Sequence, residues 1–511
     1  DIPKLILEHN LHGVDLDNRA AQIAQLGLYI KARRKKRNIK IDHFNLVSSD
    51  FVLPAYEQVK HIFFPSDEKK TSAEQAVERV IISVWDDLQQ AHKFGALIRI
   101  EEIVEQHLST FERSEVTLFT SAENETYLSF RQYFINDLYQ AVSNYASTGV
   151  HNFMQVQASN AVTYLDVLTN KYDVAVANPP YTDSADFGPE LKAFVEKHYK
   201  KPYKFHTNLY ATFIKRCCEL TTGDGKVAMI HPHTFMFIKT FENVRKYMID
   251  KSQIDLLVDY GLDRVNLFGP GILLDATWYV LSKKKQENFK GIYFNITANQ
   301  QEKTKKDSFE NALVDIKNDV ANDRVYFLDQ EKLKIIDSWP FIYWISDEFR
   351  EKFGGMNLNT KIKVCSGLST ANNDRFLRYW WELSGEIKAC NENWKDYCKG
   401  GPSKKWSGNI WLKVNYIDDG NLLRQNGGTL RNKDYYFKEG ITCSGRSSSK
   451  GVSYRIFPNN HIFDVGSTGF IPLNNNNLYY GLGYLNTKLA TYILYCLNPT
   501  VNTTEGDLQK L

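Results

Sequence analysis

Long apolar runs are missing from these 511 residues. No stretch approaches the ~18–20 residues that span a bilayer. No stretch near Asp1 reads as a secretory leader, and the first residue is Asp1 rather than methionine. Cysteine is sparse and unpatterned. The seven, Cys217, Cys218, Cys365, Cys390, Cys398, Cys443 and Cys496, are scattered and odd in number, with no CxxC pair. That supports neither a zinc ribbon nor a secreted disulfide framework. A large excess of one charge is missing too: a net charge of +3 and a pI near 8.2 permit nucleic-acid binding but fall short of a basic-domain signature. These absences lead us to expect a cytoplasmic protein seen as a fragment.

What is present is ordinary globular composition, 43% hydrophobic and 24% charged, in a chain long enough for two or three domains. Aromatic residues are plentiful at 13%, which suits either large cores or stacking on bases. The chain is organised around Tyr172-Asp173-Val174-Ala175-Val176-Ala177-Asn178-Pro179-Pro180-Tyr181. It predicts a short buried strand, apolar on both faces from Val174 to Ala177, stopped by two prolines that cannot continue a ladder. In an open α/β sheet, ligands bind at the carboxyl ends of strands. There the chain fixes an amide, a proline carbonyl and an aromatic ring. Two carbonyl-type oxygens can accept both hydrogens of an exocyclic amine, and a ring can stack on the heterocycle that bears it. The plainer reading is a proline-rich turn after a core strand.

Other segments add to the pattern. Asn10 to Asp17 predicts a strand ending in acids, followed by Asn18 as a helix cap and by Ala20, Ile23, Ala24, Gly27 and Ile30 at helical spacing. Strand, terminal acid and helix make half of a nucleotide-binding crossover, whose carboxylate takes ribose hydroxyls. The basic cluster Arg33 to Arg37 reads as a solvated helix end favourable to the dipole. A strand Phe44–Ser48 leads into Asp50 and Phe51. Residues 56–168 exceed what one crossover needs and read as a helical insertion. Lys197, Lys200, Lys201 and Lys204, interleaved with Tyr199, Tyr203 and Phe205, read as a DNA-backbone contact or a solvated loop. Strands at Val227–Ile230, after a turn at Gly223-Asp224-Gly225, at Ile254–Val258 and at Ala276–Leu281 complete a mostly parallel α/β sheet. From about Asp347 the texture shifts to short segments rich in Asn, Gly, Ser and Trp. The end reads as one helix from Tyr479 to Leu497.

Asn178-Pro179-Pro180-Tyr181 resembles the catalytic motif of the amino-methyltransferases that methylate adenine N6 in DNA. The whole chain resembles the adenine-methylating enzymes of restriction-modification and bacteriophage-exclusion (BREX) defence systems. The resemblance implies a Rossmann-like class I S-adenosylmethionine-dependent methyltransferase sheet over residues 1–346. A C-terminal α+β target-recognition domain over 347–511 is implied as well. It places Asp15 at the ribose of S-adenosylmethionine, Asp50 at the cofactor's adenine amine, and Phe51 against that ring. Asn178 and Pro179 take the target N6, Pro180 stiffens the loop, and Tyr181 and Phe268 clamp the flipped base. Lys200, Lys201, Lys204, Arg375, Arg378 and Arg446 become DNA contacts. Double-stranded DNA, other proteins of the defence system and phage-encoded inhibitors become partners. Transfer is direct, with neither a metal nor a covalent nucleophile.

One departure stands out: the family's glycine-rich first motif belongs about one βα unit before Asp15, and nothing from Asp1 to His9 is glycine-rich. Three rivals stay open: a bifunctional restriction enzyme with its nuclease upstream, cytosine N4 methylation, and a DNA-binding scaffold that recruits other defence proteins.

Overall fold

The computed structural model describes residues 2–53, 55–63, 72–102, 152–263, 274–297, 302–383, 393–444, 451–474, 477–499 and 503–511. Phe268, Arg446, Cys390 and much of the expected helical insertion lie outside the described residues. Two compact units emerge: Asp1–His231 with Lys251–Asp255 and Trp278–Gln286, and Pro232–Asp250 with Leu256–Thr277 and Glu287–Leu511. They do not divide at residue 346.

In the first unit, β1 (His12–Asp15) and β2 (Asn45–Ser48) pair in parallel, Asp15 opposite Ser48. The helix between them, α1 (Asn18–Lys35), starts one residue earlier than expected: Asp17, not Asn18, caps it by accepting from the Arg19 N–H at 2.8 Å. The residues at helical spacing lie on this helix, but they do not form its buried side. Ile23 and Ile30 are exposed, while Ala21 and Ala32 are buried and Gln25 reaches the Leu46 carbonyl at 2.8 Å. Periodicity finds an apolar stripe but cannot say whether a layer lies against it.

Two further helices, α2 (Ser72–Gln89) and α3 (Asn152–Thr169), share a core with the β1–β2 pair. Val84, Trp85 and Leu88 meet Tyr164, Leu165 and Leu168 over Val47 and Phe51. From α3 the chain enters β3 (Tyr172–Ala177), which pairs in parallel with β4 (Thr221–Pro232). Here the structure corrects a central expectation. Val174 and Val176 are 57% and 74% exposed, so one face of β3 is open. Ala175 and Ala177, on the other face, are half-buried, and helix α5 (Leu209–Leu220), preceded by α4 (Pro189–Tyr199), packs against the strand. An apolar run alone does not distinguish a strand covered on both faces from one covered on one. The turn expected at Gly223-Asp224-Gly225 is present within β4: the register against β3 jumps from Tyr172↔Thr221 to Val174↔Lys226, and a Cβ on Gly225 would lie 2.9 Å from Thr221 Cβ.

Strands β5 (Gln253–Asp263), β6 (Leu274–Ser282), β7 (Gly291–Asn295) and β8 (Val325–Leu328) follow in the chain. β5 and β7 run parallel and β7 and β8 antiparallel.

The remainder of the second unit is built on two four-stranded sheets. One comprises β9 (Ile362–Cys365), β15 (Gly440–Cys443), β16 (Tyr454–Phe457) and β18 (Gly469–Pro472). The other comprises β11 (Leu377–Tyr379), β12 (Trp394–Cys398), β13 (Leu412–Asn415) and β17 (His461–Phe463). Two short strands, β10 (Leu368–Ser369) and β14 (Thr429–Leu430), pair antiparallel beside them. The chain crosses between these sheets at close quarters: a Cβ on Gly367 would lie 1.8 Å from the Phe463 carbonyl oxygen. The single helix expected at the end is two, Leu478–Leu485 and Lys488–Leu497. Asn486 breaks it by exchanging hydrogen bonds with the backbone of Tyr454 at 3.2 and 3.0 Å, and Thr487 caps the second helix.

Within this unit, His233 Nδ1 lies 3.1 Å from Asp259 Oδ1 and its Nε2 3.8 Å from Asp275. Burial pushes the imidazole down, Lys305 adds to that, and the hydrogen bond and charge of Asp259, with the charge of Asp275, outweigh both and hold it above the usual value. A raised folded-state value contributes stability that is complete below about pH 6.5 and is lost as pH rises through the folded value. We expect His233→Gln to flatten that part of the stability–pH curve, as read by urea unfolding at several pH values. An unchanged slope above neutrality would contradict the assignment.

Candidate active site

Two groups of candidate residues sit at strand ends in the first unit. Asp15 ends β1 and Asp50 follows β2 by two residues, so two exposed carboxylates stand at the same end of a parallel pair. The turns behind them are fixed. The Ser49 N–H donates to the Asp15 carbonyl at 2.9 Å, Asp50 N to Ser48 Oγ at 3.0 Å, and Asp17 N to Asp15 Oδ1 at 2.8 Å. Each carboxylate keeps acceptor positions free of these bonds. Phe51 is 1% exposed and meets Tyr164 edge-on at 5.3 Å, so its ring is part of the helical core beneath Asp50.

The second group follows β3. His12 and Tyr172, the first residues of β1 and β3, are in ring contact at 5.0 Å. Past the strand end Asn178 is exposed, Pro179 buried and Pro180 exposed. The Tyr181 hydroxyl donates to Asn178 Oδ1 at 2.7 Å. Partial burial raises the phenol above its ordinary value, so it stays a donor at neutral pH. The amide and the ring, expected to act separately on a base, are thus joined to each other. An amide oxygen has two acceptor directions, so one hydroxyl does not exhaust it. A base entering between them has to turn the ring aside.

Sequence reading missed the residue that anchors this loop. Asn208, buried, donates through Nδ2 to Asp183 Oδ1 at 2.8 Å and to the Tyr181 carbonyl at 3.4 Å, and its Oδ1 caps α5 by accepting from Tyr210 N at 3.1 Å. Backbone bonds Leu209 N to Thr182 O and Ser184 N to Thr207 O close the clamp. The available signal was an Asn directly before a helical run.

If the Tyr181 ring serves stacking and its hydroxyl only the resting bond to Asn178, Tyr181→Phe keeps activity near wild type while Tyr181→Ala loses about ten- to hundredfold, the worth of one base stack. Equal losses in the two variants, measured by methyl incorporation into DNA, would assign the function to the hydroxyl.

The expected DNA contacts divide. Lys200, Lys201 and Lys204 are exposed, and Lys200 pairs with Glu196 at 3.4 Å. The aromatics between them are not surface groups throughout: Tyr199 and Phe205 are core residues, with the Tyr199 hydroxyl on the Leu97 carbonyl. In the second unit, Arg375 Nη1 donates to Asn426 Oδ1 at 2.7 Å, and Arg378 Nη1 to the carbonyls of Asp374 and Leu377 at 2.6 Å. Both retain further donors.

Residues 9–268 match the Eco57I restriction-modification methylase family, and the chain belongs to it. Two curated relatives extend the likeness. One is the adenine-specific methyltransferase BrxX of Escherichia coli O9:H4 (strain HS), 29% identical over all of this chain and 41% of its own length. The other is the adenine-specific methyltransferase PglX of Lacticaseibacillus casei (strain Zhang), 26% identical over 99% of this chain and 40% of its own. The chain therefore spans about two fifths of these relatives. Among solved structures, the Type IIL restriction-modification enzyme MmeI in complex with DNA aligns over 84% of this chain and 65% of its own, with 9% identity and a TM-score of 0.41. No helix among the described residues is long and apolar enough to cross a membrane.

Proposed function

We propose that this protein is the methyltransferase and target-recognition part of a site-specific DNA adenine N6-methyltransferase of a BREX-type phage-defence system. The observation that carries the reading is the Asn178–Tyr181 loop: an exposed amide, a proline carbonyl and an aromatic ring held at a strand end by Asn208. Adenine leaves the duplex at a cost of a few kcal/mol. Asn178 Oδ1 and the Pro179 carbonyl accept from its amino group and draw the two N–H bonds toward the protein, which enriches the nitrogen lone pair where positive charge develops. Tyr181 turns from Asn178 onto the ring of the base.

S-adenosylmethionine supplies the methyl group when bound. The two acceptors at the β1 and β2 ends suit its adenosine: Asp15 the ribose hydroxyls, Asp50 the adenine amine. Phe51 supports Asp50 from the core. Removing either carboxylate should weaken cofactor binding about ten- to hundredfold, as loss of a charged hydrogen bond does, and leave DNA affinity unchanged. Calorimetry giving wild-type cofactor affinity for both variants would make the acids structural.

Residues 1–346 carry the chemistry in this reading and 347–511 choose the sequence, with Arg375, Arg378 and Arg446 on bases or phosphates and Lys200, Lys201 and Lys204 on the backbone. Double-stranded DNA, fellow defence proteins and phage-encoded inhibitors are the partners. Mass spectrometry of DNA treated with the intact protein and S-adenosylmethionine tests the whole. N6-methyladenine is expected, and N4-methylcytosine or no methylated base would reject the reading. A chimera with another enzyme's residues 347–511 should change the site methylated.

A further inference from the structure

Strand β11 ends in a short 3-10 turn, Trp380–Glu382, that exposes large rings in a way few parts of the chain do. Trp380 and Trp381 are 58% and 56% exposed. The Tyr379 and Trp381 rings lie stacked at 4.5 Å and 8°, with Trp380 edge-on to Trp381 at 5.6 Å and 88°. The turn is locked from inside. Glu382, its acid, accepts from Tyr379 N at 2.7 Å, and Trp380 N donates to the Trp411 carbonyl at 3.0 Å. Cations border it: the Lys404 ammonium lies 5.2 Å from the Trp411 ring centre, and Arg378 precedes Tyr379, held by backbone carbonyls rather than a carboxylate. Exposed indoles of this kind cost solvation and need a partner. Flat rings with Lys404 and Arg378 beside them complement a partner that is itself flat and aromatic.

We propose that Tyr379, Trp380 and Trp381 form a stacking platform for a nucleobase unstacked when the duplex is opened. The proposal rests on the DNA reading above and adds to it a contact made through π-faces rather than through base edges or phosphates. Extruding one base leaves its partner and neighbours without a full stack. An aromatic platform replaces that stack without regard to sequence, at roughly ten- to hundredfold in affinity per base.

The test uses the intact protein, a duplex carrying its methylation site, and equilibrium titration at several salt concentrations with indole fluorescence as a second signal. Trp380→Ala with Trp381→Ala should bind about ten- to hundredfold more weakly at an unchanged salt slope, because no phosphate contact is removed. Trp380→Phe with Trp381→Phe should stay near wild type, since phenyl rings still stack. Wild-type fluorescence should be quenched on binding. The platform assignment is overturned if the alanine pair binds DNA like wild type, if the phenylalanine pair is as weak as the alanine pair, or if the salt slope falls. It is also overturned if the alanine pair keeps DNA affinity but loses a protein partner, which would make the surface a protein interface. A wild-type protein that binds no duplex at all would instead remove the DNA reading itself.

Discussion

Asn178→Ala is expected to abolish adenine methylation while leaving duplex binding within about twofold of wild type. The amide is exposed, and the bond it makes is to the Tyr181 hydroxyl in the same loop, so its removal leaves no buried group unsatisfied. The clamp from Asn208 holds the loop through the Tyr181 carbonyl and Asp183, not through Asn178. The effect is therefore chemical: losing one preorganised acceptor at a developing charge costs about 10²–10³ in rate, and more where that oxygen also orients the base. Undiminished methyladenine in DNA from cells carrying the variant would remove Asn178 from the reaction. A drop in melting temperature with a parallel loss of DNA binding would make it structural.

The largest expected effect on stability lies elsewhere in the same unit. Glu101 and Arg216 form a buried ion pair, Arg216 Nη2 to Glu101 Oε2 at 3.3 Å, with Arg216 Nε on the Ala96 carbonyl at 2.7 Å. Beside it Arg99 grips Glu219 with two bonds of 3.1 and 2.6 Å. Glu101→Gln leaves the buried guanidinium with the more distant carboxylate of Glu219, 3.8 Å from Nη1, and costs up to about 3–5 kcal/mol. For a unit of this size that is on the order of 10 °C in melting temperature. Arg216→Met combined with Glu101→Leu should recover most of the loss, because an apolar pair of similar volume avoids desolvating two charges. Calorimetry of the intact protein that found the double variant as unstable as the single one would place the effect in packing instead.

How far the sequence could be read depended on whether the relevant partners were near in the chain. The end of β3 was legible because Pro179 and Pro180 allow little else, and Asp15 and Asp50 because strand-then-acid recurs within a few residues. The open face at Val174 and Val176 was not, since exposure is a property of what lies against a strand and not of the strand. The same holds for the uncovered stripe of α1. Phe51 was read toward a ligand and turned toward Tyr164, more than a hundred positions away. The Glu101–Arg216 pair is separated by 115 positions, and nothing local marks either residue as a partner of the other. Asn208 was missed altogether: an Asn before a helical run can signal a cap, but its bond to the Tyr181 carbonyl exists only once the loop has folded back over it.

The bare face of β3 also says where more polypeptide can be added. Among the described residues β3 has a neighbouring strand on one side only, β4, and its two exposed valines sit on the uncovered face. An edge strand of this kind accepts a further strand. A lysine at Val176 should weaken any such addition while leaving β4 pairing intact, since the side chain points away from the covered face.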